Sequence, residues 1–165
     1  MEDRGNLTPE VTLLPFEPRD QEAVKSLVLA GLAEHWGELD PRKNPDLEDI
    51  ATAYREALFL VAWYQGQIVG CGALAPRTAR TAEVLRMSVA RGMRRLGIGR
   101  LILDRLVEAA KKAVYSQVIL ETTETWQEVV DFYLRCGFHI THYQDGDVYF
   151  ALELGESQNA TAVGG

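Results

Sequence analysis

Glu83-Val-Leu-Arg-Met-Ser-Val-Ala-Arg-Gly-Met-Arg-Arg-Leu-Gly-Ile-Gly-Arg-Leu-Ile-Leu-Asp104 is the stretch from which the rest of the chain can be read. Glu83–Val89 mixes β-branched and apolar residues with polar ones and predicts a strand. A basic turn follows, and Gly97-Ile98-Gly99 opens a helix that runs to Val114. Ile98, Leu101, Ile102, Arg105, Leu106 and Ala109 mark one face of it and charges occupy the other. The first turn of a helix leaves N–H groups unpaired and carries partial positive charge, so it takes phosphate readily. Gly97 and Gly99 lack a Cβ and let a diphosphate approach the main chain, while Arg94 and Arg95 add charge beside it. A Gly-x-Gly at a helix start is equally the mark of a plain tight turn, and it is the arginines that move the reading toward an anion. The Walker-type loop is excluded because Gly-Lys-Ser/Thr is missing. The dinucleotide fingerprint is excluded because it needs a third glycine and a downstream acid after a parallel strand.

Outward from this segment the chain alternates strands and helices. Val11–Phe16 reads as a strand, and Asp20 reads as the cap of a helix bearing Val24, Leu27, Val28 and Leu32 at helical spacing. His35–Pro45 is a loop broken by Gly37, Pro41 and Pro45, and a shorter helix is predicted over Asp46–Glu56. Leu58–Tyr64 and Gln67–Leu74 joined by Gln65-Gly66 form a hairpin. Downstream come a strand at Val118–Thr122, a helix at Trp126–Cys136, and a closing hairpin of Phe138–Tyr143 and Val148–Leu154 around Asp145-Gly146. The order predicts an α/β (α+β) domain on a mixed, largely antiparallel sheet with one parallel crossover. Residues 1–10 and 155–165 read as flexible tails around a single domain at 11–154.

At 165 residues the chain fits one domain, and a core of that size needs no staples. A net charge of −7 argues against a nucleic-acid partner. Eight arginines nevertheless fall in one central stretch: Arg77, Arg80, Arg86, Arg91, Arg94, Arg95, Arg100 and Arg105. A local basic patch in an acidic protein suits a small anionic ligand better than a polyanion. The first ten residues do not read as a signal peptide, and no apolar run approaches the ~20 residues of a membrane span. Cys71 and Cys136 read as reduced thiols without metal-ligand spacing, so a cytoplasmic protein without a metal is expected.

Two motifs together carry a resemblance. Arg94-Arg95-Leu96-Gly97-Ile98-Gly99 is similar to the Arg/Gln-x-x-Gly-x-Gly/Ala signature of the GNAT superfamily of N-acetyltransferases. Phe132-Tyr133-Leu134-Arg135-Cys136-Gly137-Phe138 resembles that family's helix-to-strand segment ending in Tyr-x-x-x-Gly-Phe. The likeness spans about Val11 to Leu154 and is clear from Glu83 onward. It implies a sheet of about seven strands with a splayed central pair, and acetyl-CoA as co-substrate. Three departures stand out: Ala90-Arg91 where Asp-Pro is frequent, Arg95 where Gly is usual, and Trp126 where many members carry an Asn.

The resemblance also implies roles. Met87, Ser88 and Val89 would offer their backbone to the pantetheine arm, a role that tolerates many side chains. Arg94, Arg95, Leu96, Gly97, Ile98, Gly99 and Arg100 would hold the diphosphate. Tyr133 aligns with the tyrosine that serves the CoA sulfur, although a phenol near pKa 10 is a weaker acid than a thiol near 8.5. A hydrogen bond to the developing thiolate fits better than full proton transfer. Glu83 and Glu121 are both candidates for the base, with Glu121 expected as a buried carboxylate in an apolar strand. The acceptor would be a primary amine of a small molecule or peptide, and Glu34, Glu38, Asp40, Asp145 and Asp147 would favour a cationic one. A homodimer is expected by analogy. The competing reading is a CoA-binding sensor or interaction module without transferase activity.

Overall fold

Gln65 and Gly66, at φ +51° and +79°, make the two-residue turn that joins β2 (Leu58–Tyr64) to β3 (Gln67–Pro76). Asp145 and Gly146, at +53° and +86°, do the same for β6 (His139–Gln144) and β7 (Asp147–Glu153). Positive φ at both central residues matches the right-handed twist of the strands, which is why both hairpins follow from short local signals. The computed structural model describes residues 10–155; the expected tails lie almost entirely outside the described residues.

The remaining elements are β1 (Thr12–Pro15), α1 (Gln21–Trp36), α2 (Ile50–Ala53), β4 (Thr81–Val89), α3 (Ile98–Lys112), β5 (Gln117–Thr123) and α4 (Gln127–Arg135). Seven strands form one mixed sheet in the order β1-β2-β3-β4-β5-β7-β6. β1 and β2 are antiparallel, as are β5 with β7 and β6 with β7. β4 and β5 run parallel and pair from Thr81↔Gln117 to Glu83↔Ile119 only, three residues of strands nine and seven long. That short pairing is the parting of the central strands that the resemblance implied.

The chain divides into two compact bodies. The first is residues 10–73 with Arg86–Leu106, the second Leu74–Leu85 with residues 107–155. In the first body Val24 and Val28 of α1, Phe59–Ala62 of β2 and Ile98, Ile102, Leu103 and Leu106 of α3 are buried. The buried stripe of α3 turns away from the predicted one: Leu103 joins it and Arg105 is exposed. Gly70 and Gly72 let α3 approach β3 closely. A Cβ on Gly72 would lie 2.5 Å from Met87 Sδ and 2.9 Å from Ile102 Cγ2. The second body packs Ala82, Val84, Val118, Leu120, Val130, Tyr133, Phe138, Val148 and Phe150.

Two local expectations are corrected. Asp20 precedes α1 but does not cap it; its Oδ2 accepts from Glu17 N at 2.9 Å, closing the 3-10 turn Pro18–Asp20 instead. The helix expected over Asp46–Glu56 is broken into a 3-10 turn at Pro45–Glu48 and the single turn of α2. Asp49 interrupts it by accepting from Thr52 N and Thr52 Oγ1, which starts a new cap in the middle of the predicted helix.

Candidate functional site

After β4 the chain is pinned by Ala90 N donating to Val69 O at 2.8 Å, and a 3-10 turn covers Arg91–Met93. Arg95 then takes φ +64° and Gly97 φ +89°. A left-handed conformation costs a residue with a Cβ about 1–2 kcal/mol, which accounts for the glycine usual at the position of Arg95. The first helical hydrogen bond of α3 is Leu101 N to Gly97 O, 3.0 Å. The amides of Ile98, Gly99 and Arg100 therefore have no carbonyl one turn behind them, and their dipoles converge at the helix start. This corner can bind an anion through main-chain groups alone.

The unpaired positive charge is smaller than composition implies. Arg77 pairs with Glu83, Arg86 with Asp46, Arg94 with Glu34 and Arg100 with Asp104. Arg94 is engaged through all three of its guanidinium nitrogens. Its Nη1 and Nη2 donate to the two oxygens of Glu34 at 2.6 and 3.0 Å, and its Nε donates to Val89 O at 3.0 Å. That fork holds the Glu34 carboxyl below the usual carboxylate range. Two of the acidic residues expected to attract a cationic acceptor are thus spoken for, since Asp40 accepts from Arg42 as well.

The second body carries the side-chain candidates. The Tyr133 ring is buried, with Phe132, Phe150 and Phe138 at centroid distances of 5.1, 5.6 and 6.0 Å. Burial pushes its hydroxyl well above the ordinary phenol range, and the neighbouring Cys136 adds to the effect. Such a hydroxyl stays protonated and serves as a hydrogen-bond donor rather than as an acid that dissociates.

Register places three carboxylates on one sheet face. Glu83 lies opposite Ile119, Glu121 opposite Tyr149 and Thr123 opposite Asp147. Side chains two apart along β5 share a side, so Glu83, Glu121, Tyr149 and Asp147 do too. Glu121 is exposed, contrary to the expectation of a buried carboxylate. Its carboxyl group is nonetheless partly withdrawn from water, and the charges of Asp147 and Glu83 crowd it, so its pKa rises. Glu83 is ion-paired with Arg77. His142 stacks on Tyr149 at 4.3 Å with the rings 8° from parallel. Neither aromatic residue was singled out from the sequence; the alternation Asp147-Val-Tyr149 was the available signal.

The segment before β2 holds a group that sequence reasoning also missed. Arg86, Asp46, Asn44 and Tyr54 form one hydrogen-bonded cluster in the first body. Among the described residues no group of three or more His, Cys, Asp and Glu could hold a metal, and no helix is long and apolar enough to cross a membrane.

Residues 23–138 match the Acetyltransferase (GNAT) family. An IAA acetyltransferase of Azospirillum brasilense is 36% identical over 132 residues, which are 79% of this chain and 85% of that protein. "Probable N-acetyltransferase 14" of Xenopus tropicalis is 31% identical over 103 residues, 60% of this chain. The match spans only 50% of that relative's own length. The PaiA N-acetyltransferase from Thermoplasma acidophilum, solved in complex with coenzyme A, shares the fold. Its TM-score is 0.78 at 16% identity, covering 87% of this chain and 99% of that one. With a seven-stranded sheet of the matching fold and a family match over most of its length, the chain belongs to the GNAT acetyltransferase family and carries an acyltransferase domain.

Proposed function

We propose that the protein transfers an acetyl group from acetyl-CoA to a primary amine of a small molecule or peptide, by direct attack in a ternary complex. The observation that carries this reading is the start of α3, where the amides of Ile98, Gly99 and Arg100 lack helical partners beside Gly97 at φ +89°. These groups suit the diphosphate of CoA, with Arg94, Arg95 and Leu96 forming the turn that leads into them. The backbone of Met87, Ser88 and Val89 would align the pantetheine arm. Acetyl-CoA supplies the activated thioester; the chain's own residues orient it and manage the protons.

Tyr133 is assigned to the leaving sulfur as a hydrogen-bond donor, which its buried, protonated hydroxyl supports. Of the two carboxylates, Glu121 is the better base. Its raised pKa brings it closer to the operating pH, whereas Glu83 is held by Arg77. Removing a proton from an ammonium still benefits from a relaying water, because even a raised carboxyl is a weak base for an alkyl amine. The acidic face of Glu83, Glu121 and Asp147 favours an amine that arrives as a cation. A homodimer completes this reading by family analogy, and a cytoplasmic location accords with Cys71 and Cys136 standing outside any disulfide.

Calorimetry with acetyl-CoA, followed by an amine screen read as free-thiol release, tests the proposal. Saturable binding with amine-dependent thiol release is expected. Binding without release from any amine would favour the sensor reading, and no binding at millimolar acetyl-CoA would remove both.

A further inference from the structure

Among the described residues, Arg86 is the only non-glycine residue inside a strand with a left-handed backbone, at φ +56°. The others, Gln65, Arg95, Val114 and Asp145, stand in turns or past a helix end. Such a conformation persists only where its surroundings over-determine it. The surroundings of Arg86 do so twice. Its carbonyl accepts from Cys71 Sγ at 3.3 Å. Its guanidinium forks onto Asp46, with Nε to Oδ2 at 2.9 Å and Nη2 to Oδ1 at 2.7 Å, and Nη2 also donates to Asn44 Oδ1 at 3.0 Å.

Tyr54 closes the cluster by donating from its hydroxyl to Asp46 Oδ2 at 2.5 Å. The side chains of Arg86 and Asp46 are only 20% and 26% exposed, so the fork is shielded from water and salt. Burial alone would raise the Asp46 carboxyl, but the hydrogen bonds from Arg86 and then Tyr54 outweigh it and hold it below the usual range. Burial and Asp46 push Tyr54 up to about 12. The cluster therefore keeps one charge state through neutral pH.

The far side of the segment that carries Asn44, Asp46 and Tyr54 is equally fixed. Gln21 of α1 donates to Leu47 O at 2.7 Å and accepts from Ile50 N at 3.0 Å, and Leu47 and Ile50 are fully buried. A rigid segment is thus fastened to β4 at the residue immediately before Met87.

We propose that Arg86 is a positioning residue for the acyl donor: its fork onto Asp46 and Asn44 holds the bend in β4 that aims the backbone of Met87, Ser88 and Val89 at the pantetheine arm. The inference rests on the functional reading above. It assigns to a side chain what a main-chain binding mode otherwise leaves to the fold.

Arg86→Lys keeps the charge and loses the two-pronged geometry. Asp46→Asn loses the partner's charge, and Arg86→Gly admits the same backbone without strain but has no fork. Each is titrated by calorimetry with CoA and with adenosine 3′-phosphate 5′-diphosphate, which keeps the diphosphate and lacks the pantetheine arm. Circular dichroism confirms folding of each variant, and Arg86→Lys is the mildest should another fail to fold. The inference expects every folded variant to lose about tenfold or more in CoA affinity, about 1.4 kcal/mol, with affinity for the nucleotide within twofold of wild type. Parallel losses for both ligands would show a general structural role and overturn it. Wild-type CoA affinity in Arg86→Gly would also overturn it, by showing that the backbone bend needs no fork. Failure of the wild-type protein to bind either ligand would instead strike the functional reading itself.

Discussion

The two bodies of the molecule offer chemistry of opposite kinds. The first presents main-chain amides at the start of α3, in a corner shaped by Arg95 and Gly97 at positive φ. The second presents side chains: a buried tyrosine and a face with three carboxylates and a stacked His142–Tyr149 pair. Main-chain binding depends on conformation, so most substitutions leave it intact and only those that alter φ or add bulk damage it. Side-chain chemistry depends on identity, so a single atom can decide it. Substitutions in the first body should therefore register in affinity and stability, and those in the second in turnover and pH response.

Removing one oxygen should have the largest effect. Tyr133→Phe is expected to lower turnover by about 100-fold, the lower end for loss of a positioned proton donor, while CoA affinity by calorimetry stays within about twofold. An equal fall in affinity would dissolve the contrast between the bodies. Next comes packing in the first body. Gly72→Ala places a methyl against Met87 Sδ and Ile102 Cγ2, and over-packing of this kind costs about 1–3 kcal/mol, read as a lower thermal midpoint. Close behind is Gly97→Val. Forcing a β-branched residue to φ +89° should weaken CoA binding by about tenfold or more, with turnover at saturating donor little changed.

The smallest expected effect is the pH response of Glu121. Its folded-state pKa is raised by partial burial and by Asp147 and Glu83, so the folded protein disfavours its charged form. The stability this lends is present below the ordinary carboxylate pKa and is lost as pH rises through the raised value. Glu121→Gln should thus raise the thermal midpoint slightly at neutral pH, with no gain in acid. A gain that persists in acid would mean the crowding on this face is not electrostatic.

Sequence legibility follows the same divide. The stretch Glu83–Asp104 was readable because strand pattern, glycine placement and helix periodicity agree locally, and the hairpins at Gln65-Gly66 and Asp145-Gly146 follow from turn chemistry. The predicted helix over Asp46–Glu56 failed because its polar residues are used elsewhere: Asp46 serves Arg86, forty residues away, and Asp49 caps Thr52. Asp20 failed as a cap for the same reason, its oxygen turned back to Glu17. The arginines from Arg77 to Arg105 read as a basic patch, but Arg77, Arg86, Arg94 and Arg100 are paired with carboxylates distant or near in sequence. Tyr133 is a candidate by motif; Glu121 is one by its setting in an apolar strand, a setting that misjudges its exposure, since it stands on the polar side of β5. Long-range side-chain partnerships such as Asp46–Arg86 and Glu34–Arg94 leave no local pattern, whereas Asp20 and Asp49 show that local polar groups can also be turned to partners the helical pattern does not announce.

The central claim is that the start of α3 receives a diphosphate on its backbone. Two-dimensional ¹⁵N–¹H spectra of the protein titrated with CoA test it most directly. Large, saturable shifts of the Ile98, Gly99 and Arg100 amide resonances are expected, reproduced by adenosine 3′-phosphate 5′-diphosphate. Saturation of the protein with CoA while those three resonances stay in place would contradict it.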